Sequence, residues 1–201
     1  MQPSEANLKL FDESYKAVGP LRYQMAGSDC VPTTVVNALL FVTRKTLPQR
    51  LMRLIWGCSL DQRNGTGYVC SRILADVLDA WFKMSEDDGE SQTLSEFCSR
   101  IKLGKDVSLK PNNPLLTTLN AGGAVCITTG NGGHYSLLHS HNQGKAFYGF
   151  DPTWPGARKR KVAMEFSNST FGMANIVWTR EELQIILEDE ANQFIHLISP
   201  S

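Results

Sequence analysis

The chain has 201 residues, 42% of them hydrophobic, and its 20 basic residues balance its 20 acidic ones. This length predicts one domain over residues 1–201, and the zero net charge gives no reason to expect a nucleic-acid or anionic-membrane partner. The apolar stretches are far shorter than the roughly 20 residues that cross a bilayer.

Five cysteines without a CxxC pair favour a reducing compartment over a disulfide framework. The N-terminus lacks the basic and then apolar pattern of a secretory signal. We therefore expect a cytoplasmic protein, although a protein exported without such a signal would have the same features.

The first half of the chain has the periodicity of helices. Residues 33–42 follow Pro32, which suits a first helical turn, and residues 47–55 begin near Pro48. Residues 69–84 place apolar side chains along one stripe. The pattern predicts helices over residues 33–42, 47–55, 69–84, 91–101 and 114–120.

The second half changes to the shorter runs that are typical of β-strands. Near its end, Thr179 and Glu182 have the spacing of a capping box, which should open one more helix. Helices followed by antiparallel strands indicate an α+β domain. Strands are predicted over residues 124–128, 134–139, 146–150, 161–166, 176–178 and 194–198.

Cys30 is a candidate nucleophile. Only the thiolate form of cysteine is strongly nucleophilic, and a free thiol is mostly protonated at neutral pH. Cys30 stands just ahead of the helix that Pro32 opens, where the positive end of the helix dipole favours an anion. A neighbouring histidine would complete the activation as an ion pair and later protonate the leaving group. The alternative for Cys30 is an inert buried thiol.

His134 and Asp151 are the candidate base and the candidate group that orients it. His134 opens one strand of a predicted hairpin, and Asp151 ends the next. A two-residue turn would place His134 opposite Asp151, and a four-residue turn would place it opposite Thr153, diagonal to Asp151. A three-residue turn would put His134 and Asp151 on opposite faces unless a bulge intervenes.

If the two side chains share a face, Asp151 would accept the imidazole N–H, fix the tautomer of His134 and stabilise the imidazolium. The alternative is that Asp151, beside Pro152, is only a turn residue that ends its strand.

Gln24, six positions before Cys30, is a candidate oxyanion donor. Its side-chain amide could point an N–H at the developing oxyanion, together with the backbone N–H of Cys30. One such donor is typically worth about 3 kcal/mol of barrier lowering. Taken alone, Gln24 would be an ordinary polar loop residue.

The combination of these motifs resembles that of the papain-like cysteine peptidases. Gln24 and Cys30 precede a helix, His134 lies on a strand, and Asp151 with Pro152 ends the next strand. Within the family the chain looks most like the bacterial peptidases that remove double-glycine leaders from bacteriocins, and their stand-alone relatives. The resemblance implies a helical N-terminal half packed on a C-terminal antiparallel sheet, with the active site in the cleft between them.

By the same resemblance, Cys30 would be the nucleophile, His134 the base, Asp151 the orienting carboxylate and Gln24 the oxyanion donor. The sequence departs from the leader peptidases at Val31, where they commonly have glycine. Those peptidases are also usually fused to a membrane transporter, whereas this chain shows no membrane span.

We expect no cofactor and no metal. Strand parity puts His134 and His139 on opposite faces, so the histidines of this strand should not converge, and His139 and His141 should face solvent. The Gly-rich loops at 65–67 and 130–133 do not match a phosphate-binding fingerprint.

The remaining notable residues have structural interpretations. Residues 158–161 form a basic run that is interpreted as a solvated turn. Trp154 would either shield the His134–Asp151 pair from water or make a plain apolar contact. The other cysteines should pack in the core: Cys58, Cys70, Cys98 and Cys126.

The sequence thus predicts a cysteine peptidase that hydrolyses an amide bond of a peptide or protein through a thioester with Cys30. Two alternatives stay open. One is an acyltransferase or transpeptidase, in which an amine resolves the same thioester. The other is a papain-like module that binds a partner without catalysis.

Overall fold

A computed structural model describes residues 21, 23–24, 29–43, 47–59, 68–84, 97–102, 109–110, 112–129, 134–153, 174–188 and 195–200, with the backbone alone at 68–73, 83–84, 97–102 and 200. Several predictions lie outside these residues: the strand over 161–166, the basic run, both Gly-rich loops and the position of Trp154.

The described helices are α1 (Cys30–Thr43), α2 (Gln49–Ser59), α3 (Tyr68–Met84), α4 (Pro114–Asn120) and α5 (Arg180–Glu188). Helix α1 begins at Cys30 because Pro32 in its first turn needs no N–H partner, and the carbonyl of Asp29 accepts the N–H of Thr33 at 3.1 Å. Every residue from Cys30 to Phe41 is buried, which makes α1 the central helix.

Helix α5 opens with the predicted capping box. The N–H of Thr179 donates to Oε2 of Glu182 at 2.8 Å, and the N–H of Glu182 donates to Oγ1 of Thr179 at 3.1 Å. Two backbone donors at the helix start are satisfied in this way. The prediction of a helix at this point is confirmed.

Within the part of the chain that the structure describes, six antiparallel strands form one sheet in the order β1-β6-β2-β3-β4-β5. The predicted α+β architecture is confirmed. The strands are β1 (Phe97–Lys102), β2 (Ala124–Thr129), β3 (His134–Asn142), β4 (Ala146–Phe150), β5 (Ile176–Thr179) and β6 (Ile195–Pro200).

The predicted helix over residues 91–101 is wrong where the structure describes it. Phe97 to Lys102 form β1, whose residues pair with β6 from Phe97 opposite Pro200 to Lys102 opposite Ile195. The segment is too short for its helical spacing to outweigh the backbone hydrogen bonds that β6 offers. Phe and Ile also favour a strand.

Each face of the sheet carries its own apolar core. Helices α1, α2 and α3 pack on one face, against sheet residues such as Cys126, Leu137 and Phe150. Helices α4 and α5 cover the opposite face, which includes Ile127 and Phe147. The helices of the first half therefore pack together on one face of the sheet. No helix among the described residues is long and apolar enough to cross a membrane.

His196 should make the stability of the fold depend on pH. It lies in β6 opposite Cys126, and burial lowers its pKa from 6.5 to about 4. As pH falls, the unfolded chain takes up this proton first, so stability that is present above pH 6.5 is lost towards pH 4. We expect this histidine to contribute a loss of about 3 kcal/mol.

The measurement is urea unfolding at several pH values between 7 and 4 for the wild-type chain and for His196→Gln. The variant should show a shallower decline of the free energy of unfolding on acidification. Parallel declines in the two proteins would contradict the assignment, whatever the difference between them at pH 7.

Candidate active site

The start of α1 holds Cys30 against the sheet. Cys30 is the first residue of the helix and only 9% exposed. One turn later, the hydroxyl of Thr34 donates to the carbonyl of Tyr135 in β3 at 3.2 Å. The helix start is thereby tied to the residue next to His134, at the junction of the helical layer and the sheet.

The hairpin between β3 and β4 has the three-residue turn, one of the three turn lengths that the sequence left open. Three residues, 143–145, connect Asn142 to Ala146, and Gln143 and Gly144 adopt positive φ values of 49° and 68°. The N–H of Lys145 closes the turn on the carbonyl of Asn142 at 2.8 Å. This is the turn length that would separate His134 from Asp151 in a regular hairpin.

A β-bulge restores the alignment. The register shifts between Leu138 and Ser140, so that beyond the bulge Leu137 pairs with Phe150. Extending that register places His134 opposite Thr153 and diagonal to Asp151, as a regular four-residue turn would have done. The bulge therefore brings the two predicted residues to one place.

His134 and Asp151 are in direct contact. Nε2 of His134 lies 2.9 Å from Oδ1 of Asp151 and 3.1 Å from Oγ1 of Thr153, and all three side chains are buried. The backbone N–H of Thr153 also donates to Oδ1 of Asp151 at 2.8 Å. The carboxylate oxygen is thus held between an imidazole and a backbone donor.

The side chain of Cys30 is a further partner of the His134 ring. Burial works to lower the pKa of His134, but hydrogen bonds to Asp151 and Cys30, and the charges of both, raise it above the ordinary value of 6.5. The imidazolium is accordingly favoured between a thiol and a carboxylate. The structure brings Cys30, His134 and Asp151 together.

Asn175, which the sequence analysis missed, binds the backbone of Asp151. The N–H of Asp151 donates to Oδ1 of Asn175 at 2.7 Å, and Nδ2 of Asn175 donates to the carbonyl of Asp151 at 2.8 Å. No local pattern connects positions 24 residues apart. The sequence analysis named Thr153 only as the residue that a four-residue turn would place opposite His134. An Asp side chain that accepts the backbone N–H two residues later is a common turn arrangement, and this signal could have indicated the contact.

Gln24 lies beside the end of β4. Its backbone N–H donates to the carbonyl of Pro152 at 2.7 Å, and the ring of Tyr23 lies 5.2 Å from the ring of Phe150. The segment with the predicted oxyanion donor is thus joined to the segment with Asp151.

Of the other two histidines of β3, His139 departs from the prediction and His141 does not. His139 is buried and stacks on Phe41 of α1 with 4.8 Å between ring centroids, because it follows Tyr135 and Leu137 on the face of the sheet that α1 covers. The expectation that His139 faces solvent is wrong. His141 is partly exposed, accepts the N–H of Gly144 and donates to Asn120.

Of the remaining cysteines, Cys126 is fully buried, and burial raises the pKa of its thiol. Cys58 is half-buried against the core between the sheet and helices α1, α2 and α3. Both agree with the predicted packing role, while the side chains of Cys70 and Cys98 are not described. Within the described ranges, no three His, Cys, Asp or Glu side chains are grouped as metal ligands would be.

Comparison with known proteins gives one structural likeness to report. The sequence matches no protein-family model and no curated protein. The fold is similar to the crystal structure of a double glycine motif protease from an AMS/PCAT transporter in complex with the leader peptide, with a TM-score of 0.50. The match covers 90% of this chain and 91% of that one at 13% identity. At this identity the likeness shows the fold, and the predicted papain-like α+β fold is confirmed.

Proposed function

We propose that this protein is a cysteine peptidase that cleaves an amide bond through a thioester with Cys30. The observation that carries the proposal is His134, whose ring interacts with Cys30 and Asp151 together and whose pKa is raised by both. A thiolate–imidazolium pair at a helix start is the arrangement that thiol catalysis needs. A reducing compartment such as the cytoplasm suits a free thiol.

In the acylation step the sulfur of Cys30 attacks the substrate carbonyl carbon and a C–S bond forms. The negative charge that develops on the carbonyl oxygen would be stabilised by the backbone N–H of Cys30 and the side-chain amide of Gln24. The C–N bond then breaks, and His134 gives its proton to the departing amine.

In the deacylation step His134, now neutral, takes a proton from water as the water oxygen attacks the thioester carbonyl. A C–O bond forms, the C–S bond breaks, and the thiolate and imidazolium are regenerated. Asp151 would keep Nε2 of His134 as a donor throughout, which leaves Nδ1 as the ring nitrogen that exchanges the proton.

A peptide is the substrate class that fits this proposal. The structure with a similar fold is a protease in complex with a leader peptide. This chain has a similar α+β fold over most of its length. We therefore assign a peptide substrate to it and expect one domain to bind and cleave that peptide.

The thiolate claim is tested by alkylating the protein with iodoacetamide between pH 5 and 8 and quantifying each cysteine by mass spectrometry. The rate at Cys30 should change little between pH 6 and 8. As pH falls from 8 to 6, the alkylation rate at Cys58, which serves as the reference thiol, should fall more steeply than the rate at Cys30. Equal slopes at both cysteines would rule out an activated Cys30, and His134→Ala should give Cys30 the ordinary slope.

The reaction itself is tested by incubating the protein with a peptide library, with and without a millimolar amine, and identifying the products by mass. Hydrolysis predicts new free carboxylates in both samples. Predominant ligation to the amine would show acyl transfer instead. Rapid alkylation of Cys30 with neither product would contradict the peptidase proposal and favour a binding module.

A further inference from the structure

We propose that Thr153 and Asn175 are positioning residues of this site, which together hold the Asp151–His134 pair in its working geometry. The inference rests on the proposed function and extends it to two residues that flank residues 154–174 in the sequence and meet at Asp151 in space.

Thr153 acts on His134 through its hydroxyl and on Asp151 through its backbone. Its Oγ1 is 3.1 Å from Nε2 of His134, on the same ring nitrogen that Oδ1 of Asp151 approaches at 2.9 Å. An imidazolium N–H is a donor only, so it finds two acceptors here. Because a charged N–H makes a stronger hydrogen bond than a neutral one, the hydroxyl favours the charged ring. It also opposes rotation of the ring away from Asp151.

The backbone N–H of Thr153 fixes which way the carboxylate points. It donates to Oδ1 of Asp151, the oxygen that also accepts from His134. A buried carboxylate that receives two N–H donors on one oxygen has little rotational freedom.

Asn175 acts one step further from the reaction. Its side chain satisfies both the N–H and the carbonyl of Asp151, and its own N–H donates to the carbonyl of Gly149 at 3.0 Å. Asn175 is 3% exposed, so these hydrogen bonds are protected from water. Beyond the last residue of β4, Asn175 thus takes over the backbone pairing that the sheet no longer supplies to Asp151.

The test of Thr153 compares Thr153→Val, which removes the hydroxyl but keeps the backbone donor, with Thr153→Ser, which keeps both. The pKa of His134 is measured by NMR titration in a Cys30→Ala background, where no catalysis is needed. Thr153→Val should lower this pKa, with a proton affinity reduced about three- to tenfold, and Thr153→Ser should restore it.

A buried threonine of α4, Thr118, provides the matched control, because Thr118→Val removes a hydroxyl far from His134 and should leave its pKa unchanged. An unchanged pKa in Thr153→Val would overturn the role of the hydroxyl. A lowered pKa that Thr153→Ser fails to restore would also overturn it, since the effect would then come from altered packing.

Asn175→Ala, with Cys30 intact, is tested by cleavage of a library peptide at a temperature where circular dichroism shows a native spectrum. We expect kcat to fall about tenfold with little change in KM, because Asp151 is misplaced while the peptide still binds. An equal kcat would overturn the role of Asn175. If wild type cleaves nothing, the peptidase proposal fails, yet the titration of His134 in Asn175→Ala with Cys30→Ala still shows whether Asn175 positions the pair.

Discussion

Replacing His134 by alanine is expected to lower kcat/KM for peptide cleavage by on the order of 10³-fold or more. The change removes the group that pairs with the Cys30 thiolate, protonates the leaving amine and activates water. Because one ring serves all three steps, no other described side chain at the site can replace it. The assay uses any library peptide that the wild-type chain cleaves, at pH 6 to 8.

His141 provides the matched control on the same strand. Its ring binds Asn120 and Gly144 at the far end of β3 and has no contact with Cys30 or Asp151 among the described residues. His141→Gln should therefore retain kcat/KM within about twofold of wild type. A His134→Ala protein that is folded and cleaves within tenfold of wild type would refute the proposed base.

Replacing Gly149 by alanine is expected to destabilise the fold by about 3 kcal/mol or more. A Cβ at this position would stand 2.6 Å from the ring of Trp178, and it would collide with the backbone carbonyl oxygen of Leu137. The Trp178 side chain can shift, but the backbone of the paired strand β3 cannot move without losing hydrogen bonds. The pairing that positions Asp151 two residues later would be disturbed as well.

Gly122→Ala is the control for this prediction. Gly122 has a φ of 77°, which strains an alanine, but a Cβ there would meet nothing within 4 Å. We expect a loss of about 1 to 2 kcal/mol from backbone strain alone. Urea unfolding should show Gly149→Ala as the less stable of the two, and the reverse order would contradict the steric argument.

Local signals were sufficient for the elements that begin or end at a characteristic residue. Pro32 correctly indicated the start of α1, and Thr179 with Glu182 indicated the start of α5. The strands of the hairpin were also located from their composition. These predictions succeed because caps and alternating patterns act over a few neighbouring residues.

Long-range contacts determined what the sequence analysis missed. The segment Phe97–Lys102 became a strand because β6 lies beside it, and Asn175 reached Asp151 because β5 pairs with β4. Neither neighbour is visible in the local sequence. The same is true of His139, which is buried because α1 covers its face of the sheet and places Phe41 against it.

By itself the sequence determined the chemical groups of the site and the elements that carry them: Cys30 at a helix start, His134 and Asp151 on a hairpin, and Gln24 in the preceding segment. Only the tertiary structure decided that His134 and Asp151 meet, through a three-residue turn corrected by a bulge. The reason is that side-chain direction alternates with every residue of a strand, so one inserted residue exchanges the two faces. Whether a bulge forms to compensate the turn depends on how the hairpin packs against α1 and on the residues that bind Asp151. No local sequence pattern contains that information.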